Sequence, residues 1–346
     1  MDGIPRTAKH FVIPVFIPHK GCAHRCTFCN QNSVTGAAAV LPDETEITRT
    51  TKQYLNFKRT SRGFTEISFF GGNFLGLGSA DIRRLLDAAA GYVSVGKING
   101  IRFSTRPDTI DEKRLEIMSN YPVTTVELGV QSMDDRVLEK VKRGHSAADT
   151  QLAAQRLKTA GYALGCQIMT GLPGEDEASS LDTARAVAAL EPDFVRIYPL
   201  VVLNKSPLAA DYQAGRFAPL DLEAGVLRTK KLFQIFNHAG INVIRMGLQA
   251  SEGLDTPGAI LAGPYHPAFG HMVFASLMYD RAANLLDAAK DLPDTVVLNV
   301  HPGSISRMQG LSKSNLKKLH LRYPEVEKFE IRPDPNLNTH EIRLDR

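Results

Sequence analysis

The sequence is poor in cysteine, in net charge and in long apolar runs. Four cysteines in 346 residues are too few for a disulfide framework in a chain of this length. No stretch approaches the roughly 18 apolar residues of a membrane span, and the apolar run near the N-terminus is too short and too proline-broken for a signal peptide. We therefore predict a soluble cytoplasmic protein. The net charge is only +4, so an anionic partner must be inferred from where the charges lie.

The overall composition is that of an ordinary globular protein. Hydrophobic residues make up 43% of the chain and charged residues 23%, which fits one large domain or one domain with a small appendage. We find no internal repeat and no low-complexity tract. We predict a core with a helical extension over residues 1–250 and a C-terminal substrate or partner region over residues 251–346.

Short β-rich runs alternate with helical stretches from about residue 11 to residue 202. The predicted strands are "HFVIPVFI", "FTEISFF", "NGIRFST", "TTVELGVQS", "YALGCQIMTGLP" and "DFVRIYPLVV". The stretches between them space their apolar residues three and four apart, as amphipathic helices do. Six such β–α repeats predict an α/β protein with a parallel sheet, either open or curled into a partial barrel.

The pattern changes after residue 203. A mostly helical stretch leads to another strand, "INVIRMGL", and a long helix follows from about residue 255. The chain then continues with a strand, "TVVLNVHP", a basic segment and a final β pair. We predict a smaller α+β region at this end of the chain.

Three of the four cysteines lie in the short segment "IPHKGCAHRCTFCN", at Cys22, Cys26 and Cys29. Three thiolates can hold zinc with His19 or His24 as the fourth ligand, or three corners of a 4Fe–4S cluster with one iron left open. Structural zinc sites usually have four ligands, often from two cysteine pairs, whereas no second pair occurs here. Inert buried cysteines fit poorly with a polar loop. The residues favour the cluster, with zinc and inert thiols as the alternatives.

The spacing Cys-x-x-x-Cys-x-x-Cys, with an aromatic Phe28 before the last cysteine, resembles the signature of radical S-adenosylmethionine enzymes. The resemblance implies a partial (β/α)6 barrel. It also implies that the open iron binds the amino and carboxylate groups of S-adenosylmethionine. One electron, supplied by a flavodoxin- or ferredoxin-like donor, then cleaves the sulfonium to a 5′-deoxyadenosyl radical that abstracts hydrogen from a substrate. The cofactors carry this chemistry, and the protein positions them.

Polar and glycine residues cluster where the predicted strands end, which is where α/β proteins build ligand sites. Gly71, Gly72 and Asn73 follow the second strand and correspond to the glycine motif that binds the methionine moiety in this superfamily. Two glycines allow the backbone to approach a ligand closely. The usual acidic third residue is replaced by Asn73, so backbone carbonyls would contribute more of the binding.

Further cofactor ligands are implied at the third, fourth and fifth strand ends. Gln131 and Arg143 have the separation found in the coproporphyrinogen-oxidase-like branch, where such a pair binds the ribose hydroxyls and the methionine carboxylate. Arg143 suits a carboxylate because its guanidinium is always charged and binds in a bidentate way; the alternative is a solvated arginine at a helix end. Gln167 stands where that branch has an acidic ribose ligand. Ser104 and Arg106 are expected to contact ribose or substrate.

The motifs "STRPD", "ELGVQS", "RGH", "GLPG" and "VRIYPLVV", in this order, most resemble the radical domain of the Elongator catalytic subunit and its bacterial relatives. The resemblance covers about residues 11 to 250. Two features differ: the cysteine spacing is the ordinary one of radical enzymes, and the chain ends without room for an acetyltransferase domain. Wobble-uridine carboxymethylation is therefore not carried over. Cys166, alone in a strand, is predicted to be a small buried hydrophobic residue.

The substrate is predicted from the C-terminal half. The segment 307–322 contains five cations and no acidic residue: Arg307, Lys313, Lys317, Lys318 and Arg322. Asn315 and His320 add hydrogen-bonding groups. Such a segment can follow phosphates, although a solvated helix face has the same composition and no aromatic residues interleave to stack bases. RNA, with tRNA as first choice, is the predicted substrate.

Other readings of the same residues stay open. A small molecule such as a tetrapyrrole could present carboxylates to these lysines, and a non-enzymatic zinc or iron–sulfur protein would need only the cysteines. Arg196 and Tyr198 share one strand face and line either the cavity or a helix. The stretch "AGPYHPAFGH", with Tyr265, His266 and His271, is either a lid or a connection into a helix.

Overall fold

A computed structural model describes residues 10–17, 19–23, 25–30, 40–57, 63–249, 252–289 and 291–345. In these ranges seven strands form one parallel sheet in the order β1-β2-β3-β4-β5-β6-β8. The strands of this sheet are β1 (Phe11–Phe16), β2 (Thr65–Phe70), β3 (Gly100–Thr105), β4 (Val123–Gln131), β5 (Ala163–Thr170), β6 (Phe194–Pro199) and β8 (Asn242–Met246).

The sheet is curled. The Arg196 guanidinium on β6 lies 5.8 Å from the ring centroid of Phe70 on β2. In a flat sheet these strands, four positions apart, would be separated by about 19 Å. The prediction of a partial barrel is thus confirmed, with seven strands rather than six, because the predicted strand "INVIRMGL" pairs in parallel beside β6.

Helices lie on the outer face of the main sheet and in the C-terminal region. They are α1 (Glu44–Asn56), α2 (Ser79–Ser94), α3 (Glu112–Ser119), α4 (Asp135–Lys140), α5 (Ala147–Thr159), α6 (Glu177–Ala189), α7 (Pro207–Gln213), α8 (Leu222–His238), α9 (Glu252–Asp255), α10 (Phe269–Asp287), α11 (Ile305–Gln309) and α12 (Ser314–Arg322). Several helices follow a residue whose side chain accepts a backbone N–H of the first turn. Asp43, Asp111 and Asp221 are such residues. Such caps satisfy N–H groups that the helix cannot.

The two faces of the sheet differ in chemistry. Towards the helices the strands present fully buried apolar side chains, among them Phe69 and Phe103, which stack on Phe74 of a 3-10 turn with ring centroids 5.0 and 4.4 Å away. Towards the concave side they alternate to polar residues, so that Glu66 and Arg102 are buried in the same strands. Burying apolar area on the helix side stabilises the fold. The concave side holds the buried charged residues of the sheet.

The C-terminal region forms a second sheet around β10 (Thr295–Val300). β11 (Lys328–Pro333) pairs with β10 in parallel, and β12 (Ile342–Leu344) pairs with it in antiparallel. The expected final β pair was therefore wrong in one respect: these two strands flank β10 instead of pairing with each other. A short third sheet joins β7 (Val202–Leu203) to β9 (Ile260–Ala262).

Helix α10 belongs to both halves of the molecule. Phe269, Val273 and Leu277 are part of the main core, whereas Met278 and Leu286 are part of the C-terminal core. The division of the chain at residue 250 stays a prediction. None of the helices in the described ranges is long and apolar enough to cross a membrane.

Candidate functional site

The cysteine segment begins at the end of β1 and is held against the end of β2. The Asn73 N–H donates to the Lys20 carbonyl at 2.8 Å. A Cβ on Gly72 would lie 2.3 Å from the Ile17 carbonyl oxygen, and Gly71 adopts a φ of +86°. Both glycines are therefore needed for the close approach of the two segments.

The Asn73 side chain joins this segment to the end of β3. Its Nδ2 donates to the Gly21 carbonyl at 2.9 Å, and its Oδ1 accepts from Thr105 Oγ1 at 2.7 Å, from the Arg106 N–H at 2.9 Å and from Thr109 Oγ1 at 3.2 Å. Asn73 is only 2% exposed. An aspartate could not donate to Gly21, which explains physically why an amide stands here.

The second half of the cysteine segment is fixed by other elements. The Thr27 N–H donates to the Val141 carbonyl after α4 at 3.0 Å, and the Thr27 carbonyl accepts the Leu208 N–H of α7 at 2.8 Å. The Phe28 ring packs on an apolar cluster that includes Val141 and Leu172. Phe28 thus anchors the loop in this structure, and the role in cofactor binding that the family signature implies for it stays a prediction.

The three thiols differ in exposure. Cys26 is buried, Cys29 is half-buried and Cys22 is exposed. In the part of the chain that the structure describes, no three His, Cys, Asp or Glu side chains lie close enough together to hold a metal ion. Of the two histidines considered for zinc, His24 lies outside the described residues, and His19 has a pKa lowered by burial and by Arg25.

Arg143 connects the cysteine segment to β4. Its Nη1 donates to Cys26 Sγ at 3.4 Å and its Nη2 donates to the Gly129 carbonyl at 2.5 Å. A Cβ on Gly129 would lie 2.6 Å from Nη2, so a side chain there would displace the guanidinium from this position. Among the described residues, Arg143 Nε is buried with no hydrogen-bond partner. A buried guanidinium with an unused N–H favours an anionic ligand.

Arg106 and His145 lie beside Arg143 and leave further buried donors. Arg106 donates to Asp108 at 2.9 and 2.8 Å and to the Gly144 carbonyl at 2.8 Å. Arg106 Nη1 and His145 Nδ1 are buried without a partner in the described ranges. Burial, together with the charges of Arg143 and Arg106, lowers the pKa of His145 to about 3. His145 is therefore neutral near pH 7. It was missed as a site residue, although it stands in the "RGH" motif.

Gln131 and Gln167 come together at the ends of β4 and β5. Gln167 Nε2 donates to Gln131 Oε1 at 3.3 Å. Gln131 has a φ of +70° and is 4% exposed, a conformation that costs a non-glycine residue free energy and that is often found at functional sites. Ser104 lies half-buried on β3, in register with Glu127.

A buried ion network centred on Glu127 lies on the concave face, and Glu127 is further from the carboxyl ends of the strands than Gln131 and Gln167. Glu127 accepts from Arg102 Nη2 at 2.5 Å and from Arg196 Nε at 3.0 Å. Burial raises the pKa of Glu127, but the two guanidiniums outweigh this effect and the pKa is lowered. Sequence reasoning missed Arg102 and Glu127. A single charged residue within each of the apolar runs "IRFST" and "VELGV" was the available signal.

Arg196 and Tyr198 do share a face, and it is the concave one. Arg196 Nη1 donates to the Tyr198 hydroxyl at 3.3 Å. Cys166 points to the opposite side, where it is fully buried in the main core. Burial and the Glu127 charge raise the pKa of its thiol, so it remains protonated.

The basic segment is divided into two helices, α11 and α12, with a 3-10 turn between them. The Arg307 guanidinium lies 4.2 Å from the Phe274 ring centroid, and Arg322 pairs with Asp287 at 2.6 Å. Asn315 is buried and donates to the Ala275 carbonyl at 2.8 Å. Arg307 and Asn315 thus support packing, whereas Arg322 forms an ion pair at the surface, with 47% of its side chain exposed. The exposed cations that remain are Lys313, Lys317 and Lys318.

The glycine- and proline-rich stretch before α10 is built into the fold. Tyr265 donates to Asp255 at 2.9 Å, and His266 Nδ1 accepts the Ala268 N–H at 3.0 Å. A Cβ on Gly225 of α8 would lie 2.5 Å from Pro264 Cβ. These contacts are those of a packed connection into a helix.

Two family models match the chain: the Radical SAM superfamily over residues 16–187, and the Radical SAM C-terminal domain over residues 192–279. Together with the parallel half-barrel and the cysteine segment at its first strand end, they define the class. The chain belongs to the radical S-adenosylmethionine superfamily, as its motifs predicted.

Three known proteins illustrate the relationship. An uncharacterised protein of Methanocaldococcus jannaschii is 32% identical over 62% of this chain and 68% of its own length. A tRNA uridine(34) acetyltransferase of the same organism is 32% identical over 42% of this chain, but only 30% of its own length. The solved structure of Elp3 from Methanocaldococcus infernus is 22% identical, with a TM-score of 0.60 over 80% of this chain and 64% of that one. The predicted resemblance to the radical domain of the Elongator subunit is confirmed.

Proposed function

We propose that this chain is a radical S-adenosylmethionine enzyme with a 4Fe–4S cluster on Cys22, Cys26 and Cys29. The donor set fits such a cluster, because three thiols on one loop leave one iron without a protein ligand. When bound, the cluster supplies the electron that cleaves S-adenosylmethionine. Cluster binding would deprotonate the three thiols, because the thiolate is the form that binds metal.

The observation that carries this proposal is the buried position of Arg143. Its guanidinium lies against the Cys26 sulfur and leaves Nε unused within the described ranges. Positive charge there compensates thiolates, and the free N–H can donate to the carboxylate of S-adenosylmethionine. Arg106 Nη1 offers a second unused donor nearby. Gly71 and Gly72 allow close backbone approach for the amino group, and Gln131, Gln167 and Ser104 are assigned to the ribose.

Iron binding tests this proposal directly. Anaerobic reconstitution should give a brown, oxygen-sensitive protein with about four irons per chain. Cys26→Ala should lose the cluster because it removes a ligand. Cys166→Ala is the matched control and should keep it, since Cys166 lies in the apolar core on the other side of the sheet. A colourless protein with stoichiometric zinc would contradict the proposal and favour a non-enzymatic zinc protein.

For the substrate we propose RNA. The support is the exposed group of Lys313, Lys317 and Lys318, together with relatives whose radical region is similar and which are named as acting on tRNA. Lysines bind phosphates as point charges. A flavodoxin- or ferredoxin-like protein is proposed as the electron donor. A small molecule whose carboxylates meet the same lysines is the alternative that RNA-binding measurements distinguish.

A further inference from the structure

The concave face of the sheet has a buried lower part, away from the cysteine segment, and a partly exposed upper layer next to that segment. In its lower part Glu66, Ser68, Arg102, Thr125 and Glu127 are all at most 3% exposed. One layer nearer the cysteine segment, the side chains are only partly covered: Phe70, Gln167, Arg196, Tyr198 and Arg245. A molecule that enters from the cysteine side therefore meets this upper layer and can go no deeper.

The upper layer is continuous with the Arg143 site. Gly129, Gln167, Arg196 and Arg245 occupy one register row across β4, β5, β6 and β8. Arg143 donates to the carbonyl of Gly129, the first residue of this row. Anything bound along the row is therefore next to the proposed cofactor site.

Charge in the upper layer is not balanced. Arg196 and Arg102 share the single negative charge of Glu127, which cannot neutralise both. Arg245 stands beside Arg196 in the register of the neighbouring strand, and its guanidinium has no ion pair or hydrogen bond with any described residue. A partly exposed, unpaired guanidinium in a recess is suited to a phosphate or a carboxylate.

Aromatic rings lie at the other side of the same layer. Phe16 at the end of β1 is 39% exposed and pairs in register with Phe70. The ring centroid of Phe70 lies 5.8 Å from the guanidinium of Arg196. Exposed rings of this kind stack on flat ligands such as bases. The curl of the sheet brings the two sides together: Phe70 lies 5.8 Å from the Arg196 guanidinium, and Arg245 is on the strand next to Arg196, about 5 Å further on. The Phe70 ring and Arg245 are thus roughly 11 Å apart, a distance that a base, a sugar and a phosphate together span.

We infer that the upper layer binds a nucleotide, with its base on Phe16 and Phe70 and its phosphate on Arg245. Tyr198, whose hydroxyl accepts from Arg196, keeps its own O–H to donate to the sugar or base. This inference rests on the proposed function, because the nucleotide would be the group presented to the radical. The nucleotide is either free or part of an RNA strand.

Binding of uridine 5′-monophosphate to the cluster-loaded protein tests this inference. Calorimetry is done at saturating S-adenosylmethionine, so that the cofactor site is already filled. The monophosphate should bind at least tenfold more tightly than uridine, which lacks the anion, and than ribose 5-phosphate, which lacks the base. Arg245→Gln should weaken monophosphate binding at least tenfold, and Phe16→Leu should weaken it without changing the binding of ribose 5-phosphate.

Arg185→Gln is the control, since Arg185 is an exposed arginine on α6 and its loss should change none of these affinities. A uridine trinucleotide that binds more tightly than the monophosphate indicates RNA as the source, and equal affinity indicates a free nucleotide. Equal affinities for uridine and its monophosphate, or unchanged binding in folded Arg245→Gln, overturn the inference. If the cluster and S-adenosylmethionine cleavage are present in that protein, the proposed function survives this result.

Discussion

At the scale of single residues, Arg143 has two kinds of partner that rarely share one guanidinium, a thiol and a backbone carbonyl. Gly129 makes the second contact possible because any side chain there would collide with Nη2. The neighbouring Lys142 and Gly144, with φ of +54° and +76°, turn the chain sharply on both sides of Arg143. The backbone is thus shaped around this one side chain.

Removing that guanidinium should weaken S-adenosylmethionine binding more than it weakens the cluster. Arg143→Ala should lower the affinity by about 1.5–3 kcal/mol, the range for a charge-assisted hydrogen bond, while the iron content persists. Equilibrium binding to the reconstituted protein measures the change. Arg136→Ala is the control, because Arg136 lies on α4 with 89% of its side chain exposed. Equal affinity in Arg143→Ala and wild type would remove Arg143 from the site.

Residues of this site were predictable where a motif or a strand end marked them. The cysteine spacing and the positions of Gln131 and Arg143 were visible in the sequence, and the structure brings Arg143 against Cys26. The unused donor on Arg106 and the neutral His145 were not visible. Their state depends on burial, which is created by elements far away in the chain.

At the scale of elements, Asn73 joins three separate pieces of the fold: the cysteine segment, the end of β2 and the end of β3. Its four side-chain hydrogen bonds are each within 3.2 Å. The sequence showed only that a usual acidic residue was missing. That the amide links strand ends could not be inferred, because the pairing of loops depends on the tertiary structure.

Asn73→Asp should destabilise the protein even though it restores the acidic residue common in the superfamily. The aspartate leaves the buried Gly21 carbonyl without a donor and adds a buried charge, at a cost of about 1–3 kcal/mol in the free energy of unfolding. Urea unfolding measures this change. Asn284→Asp, on the exposed side of α10, is the control and should change stability by less than about 0.5 kcal/mol. Wild-type stability in Asn73→Asp would show that the network is not maintained in solution.

At the scale of the whole molecule, fewer cations of the basic segment are available to bind a partner than the sequence indicated. Two of the five, Arg307 and Arg322, are engaged by Phe274 and Asp287. Sequence patterning located the segment, but it could not show which cations already have a partner within the fold. The exposed cations left for the proposed RNA binding are Lys313, Lys317 and Lys318.

RNA binding through three lysines has a defined dependence on salt. Each phosphate neutralised on a single strand contributes about −0.7 to the slope of log affinity against log salt concentration, so the slope should be about −2. Replacing Lys313, Lys317 and Lys318 by Glu should abolish binding in a filter assay. Replacing Lys52, Lys97 and Lys113, which are also exposed, by Glu changes the net charge equally and should leave most of the binding. No association of wild-type protein with tRNA at low salt would exclude this partner.

The sharing of α10 between two cores has a consequence for any attempt to shorten the chain. A fragment that stops near residue 250 would lose Phe269, Val273 and Leu277, and the main core would face water where they now pack. A fragment that starts there would contain the whole helix, with those same three side chains uncovered. The shared helix thus couples the two cores, and either fragment would expose an apolar patch that the whole chain buries.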